Sequence, residues 1–81
     1  MYSGHDIPGR LRDISNVLKK LGYANHNHVR LYGKEYWLVN DPIAMTESLV
    51  LVDAIEAKSR RTMRLRIPLN VVNMACAQIA A

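Results

Sequence analysis

Cysteine occurs once in this 81-residue chain, at Cys76. No intrachain disulfide can form, so the fold must be held by burial of apolar side chains. No long apolar run marks a membrane-spanning helix, and no basic-then-apolar leader marks secretion. These absences predict a cytoplasmic protein with no membrane partner. The four glycines are scattered, which argues against a Gly-rich phosphate loop. Hydroxyl groups fall on a helix (Ser15), a loop (Thr46) or strand ends (Ser48, Thr62), and none has a base arranged beside it as nucleophilic catalysis requires. Cys76, among Ala75, Ala77 and Ile79, reads as a small buried hydrophobe and not as a reactive thiolate. The chain is therefore expected to be non-enzymatic, with no cofactor, no metal and no small-molecule substrate.

What is present suffices for one core. Apolar residues make up 49% of the chain and charged residues 22%, an ordinary globular balance at a length that needs no staple. Residues 1–81 read as one small domain, with residues 1–5 as a flexible N-terminus. The formal net charge is +4, so acidic partners such as nucleic acid enter the list of possibilities.

Ile7, Leu11, Ile14, Val17, Leu18 and Leu21 recur at helical spacing, with Arg12, Asp13, Asn16, Lys19 and Lys20 opposite. This predicts an amphipathic helix with Asp6 as N-cap, Pro8 in the first turn and Gly22 just past its end. Near the C-terminus, Pro68 opens a second helix in which Leu69, Val72, Ala75, Cys76 and Ile79 share one face.

Between the helices the pattern alternates. Residues 28–39 read as a hairpin around a Gly33-Lys34 loop, pairing Tyr32 with Glu35, Leu31 with Tyr36 and Arg30 with Trp37. Asn40-Asp41-Pro42 ends that hairpin, and residues 43–47 read as loop. Residues 49–57 and 62–67 form a second hairpin about Lys58-Ser59. Its register matches Val52 with Leu65, Ala54 with Met63 and Asp53 with Arg64, and a one-residue slip would break both the apolar set and the charge pair. The fold expected is α+β: helix, a four-stranded mainly antiparallel meander, helix, with both helices on one face of the sheet.

The polar string Asn25-His26-Asn27-His28 offers two histidines at a spacing that points both one way on a strand. Two ligands do not make a zinc site, and the contiguous His-Asn-His letters lack the separated residues and metal that the nuclease of similar signature uses. The element order, with Leu18-Lys19-Lys20-Leu21-Gly22-Tyr23 and Arg66-Ile67-Pro68, resembles the layout of small double-stranded-RNA-binding-like toxins of the HicA type. Those toxins carry Gly-Ser-His at the second strand, where this chain has Gly33-Lys34-Glu35-Tyr36-Trp37, so the resemblance implies a layout and no activity.

The two registers put His28, Arg30, Tyr32, Trp37, Arg64 and Arg66 on the sheet face away from the helices, together with Val39, Leu49, Leu51 and Ile55. That much apolar surface predicts cover by another subunit, a homodimer anchored by Trp37 and Leu51. The interleaved arginines and aromatics are the alternative signal, for single-stranded RNA or DNA stacked on Trp37 and Tyr32. Lys58, Arg60 and Arg61 at the second hairpin tip read first as a solvated turn.

Overall fold

The computed structural model describes residues 9–80. The expected N-cap Asp6, Ile7, Pro8 and residues 1–5, for which a flexible N-terminus was expected, lie outside the described residues. Helix α1 spans Gly9–Lys20, strands β1 and β2 span His28–Leu31 and Lys34–Leu38, and β3 is the short Ile43–Ala44. Strands β4 and β5 span Val50–Glu56 and Thr62–Arg66, and α2 spans Leu69–Ala80. The α+β order of helix, antiparallel meander, helix is as the sequence predicts.

Residue periodicity explains each element. In α1, Ile14 and Leu18 are fully buried, one turn apart, with Leu11 and Val17 packed beside them. Gly22 ends the helix in a left-handed conformation (φ 111°), donating its N–H to the Lys19 carbonyl at 3.1 Å while the Tyr23 N–H bonds the Leu18 carbonyl at 3.0 Å. This pair of bonds is the Schellman closure, and it satisfies carbonyls that the helix end would otherwise orphan. Leu21, expected on the core face, lies past the last helical residue and is exposed. At the other end of the chain the Pro68 carbonyl accepts from Val71 and Val72, which starts α2. Val72 and Ala75 are fully buried, with Cys76 and Ile79 partly so. Leu69 was expected in that set but is 49% exposed, because it stands one turn ahead of the first residue that reaches the core.

The β4–β5 register is the expected one, running from Leu51 opposite Arg66 to Ile55 opposite Thr62. Its turn is wider than two residues. The Glu56 N–H bonds the Arg61 carbonyl, the Arg60 N–H bonds the Glu56 carbonyl at 2.7 Å, and Arg60 adopts a left-handed φ of 58°. The first hairpin closes differently from expectation. Leu31 faces Lys34 and Arg30 faces Glu35, so the loop is Tyr32-Gly33 and not Gly33-Lys34. Both loop residues have positive φ, 53° and 75°, the type I′ geometry whose twist matches the flanking strands. Because the loop moved by one residue at each end, every strand residue keeps its expected face while its partner changes.

Leu51 pairs with both Ile43 and Arg66, and Ala54 with both Leu38 and Met63. Strands β2 and β3 therefore share one edge of β4, and β5 takes the other. Residues 43 and 44, expected to be loop, continue the β2 line after the interruption at Asn40-Asp41-Pro42. Val50, Val52, Ala54, Leu31, Tyr36, Leu38 and Ile67 form the inner face and pack in one cluster with the buried residues of both helices. Leu65 joins that cluster only partly buried. Both helices thus cover one face and leave the other open.

Candidate interaction face

The open face is built by alternation along every strand. His28 and Arg30 come from β1, Glu35 and Trp37 from β2, Leu51, Asp53 and Ile55 from β4, and Thr62, Arg64 and Arg66 from β5. Cross-strand pairs place His28 beside Trp37, Trp37 beside Ile55, Ile43 beside Leu51 and Leu51 beside Arg66. Val39 extends the line, since its N–H bonds the Asp53 carbonyl at 2.9 Å, and Met45 follows with its N–H on the Leu49 carbonyl.

An apolar stripe runs down the β2/β3 line. Trp37 is 50% exposed, Val39 42%, Ile43 43% and Met45 54%, and the half-buried Leu51 and Ile55 of β4 lie alongside. Sequence reading found Trp37, Val39, Leu51 and Ile55 but missed Ile43 and Met45. The missed signal was that residues 43–45 keep the alternation of β2 after a proline, which on its own reads as a strand terminator.

Charged residues on this face are largely paired within the chain. The Arg64 Nε donates to Asp53 Oδ1 at 2.9 Å, and His28 Nε2 lies 3.0 Å from Glu35 Oε1 while its ring sits 4.6 Å from the Trp37 ring. The Asp53 carboxyl is held below its usual range chiefly by the hydrogen bond from Arg64, against a partial desolvation that pushes it up. Arg30 and Arg66 have no carboxylate partner among the described residues.

Tyr32, expected on a strand of the face, belongs instead to the turn between β1 and β2. It lies in the type I′ turn, 60% exposed, and its hydroxyl donates to the Arg66 carbonyl. The two histidines also part company. His26 has a left-handed φ of 74° ahead of β1, so the common direction expected of the pair on one strand is lost. Among the described residues, no three His, Cys, Asp or Glu side chains form a group able to hold a metal ion, and no helix is long and apolar enough to cross a membrane. Comparison with protein families, with curated proteins and with solved structures finds no match to this chain.

Proposed function

We propose that this chain is a non-enzymatic interaction domain that self-associates through its open sheet face, one copy laying its Trp37-to-Met45 stripe on the same stripe of another. The observation that carries the reading is the continuity of that stripe. Four large apolar side chains, each exposed by about two fifths or more, follow one strand line. A monomer in water rarely leaves such a patch open. A second copy fits better than a polyanion because of the charges. Three arginines on the face stand against Glu35 and Asp53, and both carboxylates already hold a cation-capable partner. Most of the chain's lysines and arginines lie elsewhere, on α1 and at the hairpin tips. The carboxylates of the face are already partnered within the chain, and the unpaired Arg30 and Arg66 stand on the edge strands β1 and β5, so a second copy can cover the central stripe without stranding a carboxylate, and a closed twofold pair is the commonest way to bury such a patch.

In the nucleic-acid reading of the whole face, Tyr32 stands in a turn with its hydroxyl on the Arg66 carbonyl, and Arg64 is engaged by Asp53. The deciding experiment is the solution mass at rising protein concentration for the wild type and for Ile43→Glu. A concentration-dependent dimer in the first and a folded monomer in the second is the expected result. A wild type that stays monomeric at high concentration refutes the proposal.

A further inference from the structure

The open face changes character at its loop end. There Trp37 and Ile55 form two walls of a cleft of about 450 Å³ whose other side is Arg60. An adjoining cleft of about 580 Å³ lies between the two hairpin tips, with Arg30, Lys34 and Lys58 on its walls, and the two clefts share Glu56 and Ala57. The carboxylates here are engaged. Glu35 is held by His28 at 3.0 Å, and Glu56 lies 3.8 Å from the Lys34 ammonium and accepts the Ser59 hydroxyl at 3.0 Å. Arg30, Lys58 and Arg60 have no carboxylate partner among the described residues.

Trp37 is half exposed, with the His28 ring on one side at an interplanar angle of 52°. Together with Arg60 it lines the smaller cleft. Arg60 is held in place by its own backbone bond to Glu56, at the cost of a positive φ, a conformation that non-glycine residues adopt only where their surroundings fix it.

We infer that the joined clefts bind a nucleotide, the Trp37 indole stacking on the base while Arg30, Lys58 and Arg60 hold the phosphate. A planar apolar surface that shares its cleft with Arg60, with Arg30 and Lys58 in the adjoining one, matches a ligand that is itself a flat ring joined to an anion. An apolar partner would leave the cations unanswered, and inorganic phosphate would have no use for the indole. The clefts fall within the usual size range of small-molecule sites. A free mononucleotide and the phosphorylated end of a single strand share this chemistry. The site shares Trp37 with the self-association stripe, so a nucleotide and a second copy compete for the indole, but its cations lie off that stripe, so the cation variants test the nucleotide site without touching self-association.

Trp37 is the only tryptophan of the chain, and its fluorescence reports on the cleft directly. Titration of the full chain with adenosine monophosphate should give saturable quenching, with inorganic phosphate binding more weakly. Binding by a short 5′-phosphorylated single-stranded oligonucleotide that competes with the mononucleotide would identify a strand end as the source. Binding of the mononucleotide alone would identify a free nucleotide. Exchanging Lys58→Glu together with Arg60→Glu should weaken binding by roughly tenfold or more, and Ile43→Glu, which frees Trp37 from the self-association stripe, should bind at least as tightly as the wild type. Arg60→Gly, which removes the guanidinium and relieves the positive φ, supplies a variant whose folding is not at risk and should also bind more weakly. Absence of saturable quenching by either ligand, phosphate binding as tightly as the mononucleotide, or undiminished affinity in the folded cation variants would overturn the inference.

Discussion

Asn40 and Asp53 hold each other twice across the break between β2 and β3. The Asn40 carboxamide donates to Asp53 Oδ2 at 2.8 Å and accepts the Asp53 N–H at 2.9 Å. A side chain thereby replaces the strand backbone where the chain turns toward Pro42, and one β4 amide that the interrupted ladder leaves without a main-chain partner is satisfied. Downstream, Ser15 of α1 donates to the Pro42 carbonyl at 2.7 Å, tying the same break to the helix layer. Asn40→Ala should destabilise by about 1 kcal/mol for the lost bond to the Asp53 N–H alone. Urea unfolding together with exchange at the Asp53 amide checks this, and an unmoved midpoint with a still-protected amide would count against it.

Asp53 also sets an acid limit. The Arg64 hydrogen bond, the Arg64 charge and the Asn40 amide all favour its ionised form, so its folded pKa lies below the unfolded value of roughly 4. A lowered folded pKa contributes stability that is present above the unfolded value and lost as pH falls through the folded one. Stability should therefore decline on the acid side of about pH 4, and the decline should be shallower in Asp53→Asn. Equal acid slopes in the two proteins would remove Asp53 from the account.

The Tyr32-Gly33 turn supplies a test of the backbone. An added Cβ at Gly33 meets no atom within 4 Å, so crowding plays no part and the positive φ of 75° alone sets the cost. Gly33→Ala should lose about 1 kcal/mol, the penalty of a left-handed conformation for an L-residue. If thermal unfolding shows no loss, the turn is not the type I′ described.

This turn also marks how far the sequence could be read. The β4–β5 register was legible because two independent patterns, the apolar set and the Asp53–Arg64 pair, agree in only one alignment. In the first hairpin, a loop at Gly33-Lys34 or at Tyr32-Gly33 leaves the same residues on the same faces, so alternation alone could not choose. A glycine invites placement at the first loop position, and the one-residue difference decides whether Tyr32 is a strand residue or a turn residue. Trp37 and Leu51 were identifiable from alternation alone. The Lys58 and Arg60 contribution to the loop-end clefts was not, because it depends on a four-residue turn whose path no periodicity encodes.

Burial ranks the core leucines. Leu38 is 1% exposed, whereas Leu65 is only partly buried at the margin of the cluster. Leu38→Ala should cost roughly 2–5 kcal/mol, and Leu65→Ala should cost less because solvent and neighbours can fill part of the space left behind. Chemical denaturation of both variants gives the order directly. A larger loss at Leu65 would mean that β5 carries more of the core than its exposure indicates.

Trp37→Glu tests the open face where the stripe meets the aromatic pair with His28. The substitution puts a carboxylate at the half-exposed position between His28 and Ile55, where it removes an apolar anchor and sets a new charge against its own image in a twofold pair. The dimer should dissociate by tenfold or more, roughly the effect of losing a central aromatic, while amide protection across β4 and β5 persists because Trp37 contributes nothing to the buried core. Salt sharpens the test. A face whose carboxylates are already partnered within the chain should associate almost independently of ionic strength, whereas binding of a polyanion through Arg30, Arg64 and Arg66 would weaken steeply as counterions are released. Sedimentation of the wild type at low and high salt separates the two. A steep salt dependence that Arg66→Ala reduces would assign the face to nucleic acid instead.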